Sequence, residues 1–300
     1  MEIKELHVCI KRIIDVSLDI EKEKQKASSD LKTALEHEDV IQQAYAYQRL
    51  FACSIIKKDT VDARYYKAYA TQYAIHLDEP ALLLINHQLC GLFYLDEEEA
   101  LEYDCKALMI AKKLQDVESE ARILYDIATI FDKRKDCKAK DFYERSMQLM
   151  DKNERIYPLL MAHLFTLYTK SDPLFAIQFY DEHCSFPQFS SFIHAYLDIL
   201  YLYACRNKLP FMQLESFLKK PMCDASTYWM LEELYQVALQ IKDQKHAKQI
   251  LMLLCENGEH DQIQQLLKIQ DYVISYSETF PCAYIKACCI RITYTFQESS

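Results

Sequence analysis

The chain has 300 residues, a formal charge of −10 and only 2 glycines, Gly91 and Gly258. Phosphate-cradling loops, dinucleotide-binding turns and tight β-hairpins need glycines at positive φ or at points of close approach, so the composition speaks against nucleotide-binding α/β folds and all-β folds. Dispersed Lys and Arg on an acidic chain offer no surface to a phosphate backbone, and no apolar run approaches the ~18 residues of a spanning helix. The expectation is a cytoplasmic protein with neither nucleic acid nor membrane as partner.

In chain order, the opening MEIKELHVCIKRII is charged and amphipathic, unlike a signal peptide, and residues 1–38 read as a leading helical hairpin. Apolar periodicity and cap residues then predict helix pairs at 39–57/60–76, 79–95/97–114, 117–133/136–151 and 154–170/173–184. Less regular pairs follow at 188–206/210–219, 225–242/244–256 and 259–277/281–297. Asp59, Asp96, Asp136, Asp172 and Asp224 fall between these stretches, where a carboxylate can cap free N–H groups. Pro80 and Pro173 suit first-turn positions, where the missing N–H costs nothing.

The second helices of the four regular pairs repeat one pattern. Ala63, Ala100, Ala139 and Ala176 recur every 37–39 residues, each followed three positions later by Tyr66, Tyr103, Phe142 or Phe179. Seven positions after each alanine come Ala70, Ala107, Ser146 and His183. Offsets of three and seven lie on one helix face, which here reads small, aromatic, small except at His183. Three of the first helices carry their own small residue, Ala52, Gly91 and Ala128, followed three positions later by Ile55, Tyr94 and Phe131.

In these positions the chain resembles the tetratricopeptide repeat family, whose unit places a small residue and an aromatic on its first helix and Ala-x3-aromatic-x2-Ala on its second. The likeness covers 39–184 and continues in outline over 185–300, through Leu214 with Phe217 and Ala247 with Ile250. The units are longer than the family's usual ~34 residues. They resemble the long bacterial type found in peptide-pheromone receptors and in sensory regions ahead of diguanylate cyclases. The resemblance implies an all-α superhelical array, one solenoid of antiparallel helix pairs, that binds protein or peptide in a concave groove.

That groove would be lined by first helices, and the register of Ala52, Gly91 and Ala128 directs Arg49, Gln88, Arg122, Tyr125 and Thr129 toward it, with His163 and Thr166 extending the stripe. Charge reversal at Arg49 and Arg122 is then expected to abolish partner capture with stability intact. The family's clamp of Lys and Asn for an acidic C-terminal tail is missing.

Chemistry has little to rest on. The twelve cysteines show no C-x-x-C pair and no zinc spacing, and the histidines form no H-E-x-x-H. The expectation is no cofactor, no metal and no catalysis. The alternatives are a small helical enzyme, for instance through Cys184 and His163, and a purely structural assembly adaptor. The final helix, 281–297, is apolar nearly all round, so Ile292 and Phe296 are expected to be covered by a second copy of the chain, a following domain or a partner.

Overall fold

A computed structural model of the chain describes residues 1–257, except 16–17, 94–96, 184–189, 207–208 and 220–224. Among the described residues it is all-α: α1 (Ile3–Ile14), α2 (Ile20–Glu36), α3 (Val40–Ile56), α4 (Thr60–Leu77), α5 (Pro80–Phe93), α6 (Glu97–Leu114), α7 (Val117–Lys133), α8 (Lys138–Leu149), α9 (Tyr157–Ser171), α10 (Pro173–His183), α11 (Ser191–Arg206), α12 (Phe211–Leu218), α13 (Ala225–Gln240) and α14 (Gln244–Asn257). From α3 to α14 the helices fall within a few residues of the pairs expected from periodicity. The pair 259–277/281–297, with Ile292 and Phe296, lies outside the described residues.

Several of the described helices end on a left-handed residue other than glycine. Glu38, Lys58, Gln115, Lys135 and Lys242 take φ of 55°, 56°, 57°, 55° and 59°, the left-handed conformation that glycine adopts most cheaply. Each is followed by an aspartate, and the pair closes the helix with two backbone bonds. At Lys58-Asp59, for example, Lys58 N donates to Ile55 O at 2.9 Å and Asp59 N to Ser54 O at 3.0 Å. In four of the five the aspartate then caps the next helix. Asp39, Asp59, Asp116 and Asp243 accept from the N–H of Gln42, Asp62, Ser119 and His246 at 3.0, 3.1, 3.1 and 3.2 Å. A two-residue junction thus stops one helix and starts another, and the carboxylate compensates the strained residue beside it.

The chain divides into two compact units, Met1–Leu160 and Met161–Ser300. In the first, each helix from α2 to α8 packs on the next, and α3 also packs on α5. Ala63, Ala100 and Ala139 are buried near the starts of α4, α6 and α8, and Ala70 and Ala107 are fully buried two turns later. Ser146 stands in the third of those later positions, where its hydroxyl donates to the Ala121 carbonyl at 2.7 Å. The polar residue is satisfied, so the seam tolerates it. Glu97 and Glu98, in the first turn of α6, pair with Arg134 at 2.8 and 2.9 Å. That is a structural use of the acidic run.

In the second unit, Ala176 and Phe179 of α10, Leu214 and Phe217 of α12, and Ala247 and Ile250 of α14 are all buried. First helices meet here too: Thr166 of α9 shares a hydrogen bond with the Tyr196 hydroxyl of α11 at 2.8 Å. The His163 ring of α9 lies 3.8 Å from that of Trp229 in α13.

Candidate functional site

α1 packs on α3 and α5 and reaches α2 through Cys9, whose Sγ donates to Glu23 Oε1 at 3.5 Å. Its sequence IKELHVCIKRII places Ile3, Leu6, Ile10 and Ile13 three and four residues apart, a single apolar stripe. Leu6, Ile10 and Ile13 are buried in one cluster with Tyr45, Phe51 and Ala52 of α3 and Leu82, Ile85 and Leu89 of α5. Each such side chain contributes about 1.5–3 kcal/mol when fully withdrawn from water.

Polar side chains extend this seat to α7. The His7 ring nitrogen Nε2 lies 3.2 Å from Ser119 Oγ, and its Nδ1 3.9 Å from Asp116 Oδ2. Lys11 donates to Glu118 and, at 2.7 Å, to Glu154. Burial works against the charge on Lys11, but the two carboxylates outweigh it and hold its pKa above the ordinary value. Arg122 donates to Asp15, one residue beyond α1. The helix thus lies against α3 and α5 and is tied to α7, three successive first helices.

The side chains expected to line a groove are partly committed to this arrangement. Arg49 is 1% exposed, and its Nε and Nη1 donate to Glu23 and Asp30 of α2, both at 2.6 Å. Arg122 is occupied by Asp15. The expectation that both guanidiniums are open to a ligand gives way to a structural role, because a buried guanidinium requires carboxylate partners. Gln88 is half-buried on α5. Tyr125 packs against the Tyr143 ring of α8 at 5.8 Å, and burial raises its pKa. Thr129 donates to the Asp126 carbonyl at 2.7 Å. His163 and Thr166 belong to the second unit and are buried there, Thr166 also donating to the Ala162 carbonyl at 2.7 Å. Cys184 lies outside the described residues.

Two features escaped the sequence reading. The buried carboxylate of Asp104 on α6 packs against Gly91 of α5: a Cβ on Gly91 would lie 2.1 Å from Asp104 Oδ1. Burial pushes the Asp104 pKa up to about 8, with the Asp126 carboxylate of α7 adding to the rise. Asp126 is raised as well, by burial, while Arg122 pulls it back. Asp104 occupies the repeat position held by Lys67 in α4 and Tyr143 in α8, and a position so variable gave no signal. The second feature is an exposed stripe on α4, Val61, Tyr65 and Tyr69, with Tyr69 stacked on Tyr47 at 4.8 Å. No group of three or more His, Cys, Asp or Glu side chains among the described residues could hold a metal ion. No helix among them is long and apolar enough to cross a membrane.

No family model matches the chain, and no curated protein matches it. Among solved structures it is similar to BtubC (BKLC) from P. vanneervenii, with 17% identity and a TM-score of 0.47 over 88% of this chain and 97% of that one.

Proposed function

We propose that the protein is a non-catalytic binding scaffold of the tetratricopeptide kind, a superhelical array whose first-helix face receives a helical segment of a protein partner. One observation carries this reading: an amphipathic helix, α1, is seated on α3 and α5 and tied to α7. A face that accepts one helix through an apolar seat and a rim of charges has the composition of a helix-in-groove receptor. The repeated small residues support it, since Ala52, Ala63, Gly91 and Ala100 let neighbouring helices approach closely enough to form a continuous face.

A photo-crosslinking residue placed at Gln88, in cells of the source organism, tests the reading against the same residue at the exposed Tyr65 of α4. The scaffold reading expects one recurrent protein adduct through Gln88. Adducts confined to Tyr65 would move recognition to the second-helix side, and turnover of a small molecule by the purified chain would replace the reading altogether.

A further inference from the structure

We infer that α1 is an internal occupant of the helix-binding face, and that the external partner is an amphipathic helix of the same chemistry which binds by displacing it. The inference rests on the scaffold reading and adds the class of partner and the means of regulation.

The position of α1 sets it apart from the other helices of its unit. From α2 onward each helix packs on its neighbour in sequence, whereas α1 seats on α3 and α5. A cleft of about 1050 Å³ lies between α1 and α2, lined by Val8, Cys9 and Arg12 on one side and Lys26 and Asp30 on the other, with Arg49 at its floor. The helix is therefore held mainly along its buried stripe: toward α2, Lys4, Glu5, Val8 and Arg12 stand exposed along the cleft, which Cys9 Sγ spans by donating to Glu23 Oε1 at 3.5 Å. A short amphipathic helix gripped along one stripe can leave without unpacking α2 or α4.

The grip is selective. Asp116, Glu118 and Glu154 surround His7 and Lys11 in the middle of α1, and Arg122 meets Asp15 at its end. Read from the face outward, this specifies a ligand: a helix with apolar residues spaced like Ile3, Leu6, Ile10 and Ile13, a basic side chain beside the third and an acid beyond the last. Tethering gives α1 an effective concentration of the order of millimolar. A partner must outcompete that, so weak amphipathic helices are kept out and only a close match opens the site.

The test uses the full chain and a fluorescent peptide of residues 2–15 carrying Cys9→Ser. In the variant Leu6→Asp with Ile10→Asp, α1 loses its apolar seat and the face is vacated. This variant is expected to bind the peptide at least tenfold more tightly than the parent, and a peptide with Lys11→Glu severalfold more weakly. Should the variant fail to fold, the parent alone decides through hydrogen exchange. Amides of α1 are expected to exchange by local opening, faster than those of α3, and excess peptide should speed alkylation of Cys9. Exchange of α1 only together with α3, or equal peptide binding by parent and variant, overturns the inference. Partner adducts through Gln88 that leave Cys9 protected would sink the displacement while leaving the scaffold reading intact.

Discussion

Arg122 on α7 donates a hydrogen bond to the carboxylate of Asp15, 107 residues earlier in the chain. The two side chains are 17% and 12% exposed, between the extremes of a solvated surface pair and a fully dry one. Removing either partner strands the other in a half-dry site, so Asp15→Ala and Arg122→Ala should each destabilise the protein. Their combination should cost less than the sum. A double-mutant cycle from denaturant melts is expected to give a coupling of about 1–3 kcal/mol; strict additivity would show the pair carries no weight. Charge reversal at Arg122 and Arg49 is therefore no neutral probe of binding. With Arg49→Glu, three carboxylates would crowd a buried point beside α2, and the melting temperature should fall sharply.

Gly91 is required by its neighbour. A methyl group there would meet Asp104 Oδ1 well inside contact distance, and the buried carboxylate is too short to swing clear. Alanine in mid-helix would ordinarily gain up to ~1 kcal/mol over glycine. Here the clash should outweigh that gain, and Gly91→Ala should destabilise by about 1–3 kcal/mol. Adding Asp104→Ala should restore most of the loss. A double variant no more stable than Gly91→Ala would place the strain elsewhere.

The raised pKa of Asp104 has a signed consequence. The unfolded chain releases this proton near the ordinary value of 3.8, whereas the folded chain keeps it to about 8. Stability from this site is thus complete below pH 4 and declines as the pH rises toward 8. Asn mimics the protonated acid without titrating. Asp104→Asn should match the parent near pH 4 and melt progressively higher than it up to pH 8. Parallel melting curves across that range would mean that Asp104 ionises normally.

Left-handed residues other than glycine offer a route to stabilisation. Lys58, Lys135 and Gln115 carry a steric penalty of roughly 1–2 kcal/mol for positive φ; glycine would remove it, and its greater freedom in the unfolded chain would offset part of that gain. Lys58→Gly or Lys135→Gly should raise stability by about 0.5–1 kcal/mol, measurable by denaturant midpoint. A loss in both would show that the lysine side chains do more than fill the turn.

Much of the helical layout was legible because its causes are local. Periodicity marked the helices, and Asp59 and Asp136 marked their starts. The glycine count misled in one respect: scarcity of glycine did not mean scarcity of positive φ, since Glu38, Lys58, Gln115, Lys135 and Lys242 adopt it with the following aspartate as compensation. The recurring pair of a left-handed residue and Asp was visible in the sequence, but its conformation was not. The role of α1 was hidden for a different reason. Its stripe predicts an amphipathic helix, yet nothing near it in sequence says that Lys11 answers to Glu118 and Glu154. Arg49 and Arg122 were placed on the first helices correctly, but their acceptors lie on α2 and just past α1, so their availability could not be read.

The separation of Lys11 from its acceptors, 107 and 143 residues, also bears on how the chain acquires its structure. Junctions of two residues let α3, α4 and the helices after them pair as soon as each leaves the ribosome, in an order that follows synthesis. Helix α1 is made first and is the exception. Glu154 emerges well after it, and until then α1 has only part of its seat. The earliest helix of this unit is therefore the last to be fully seated, and until Glu154 emerges the nascent chain carries a loosely held amphipathic segment.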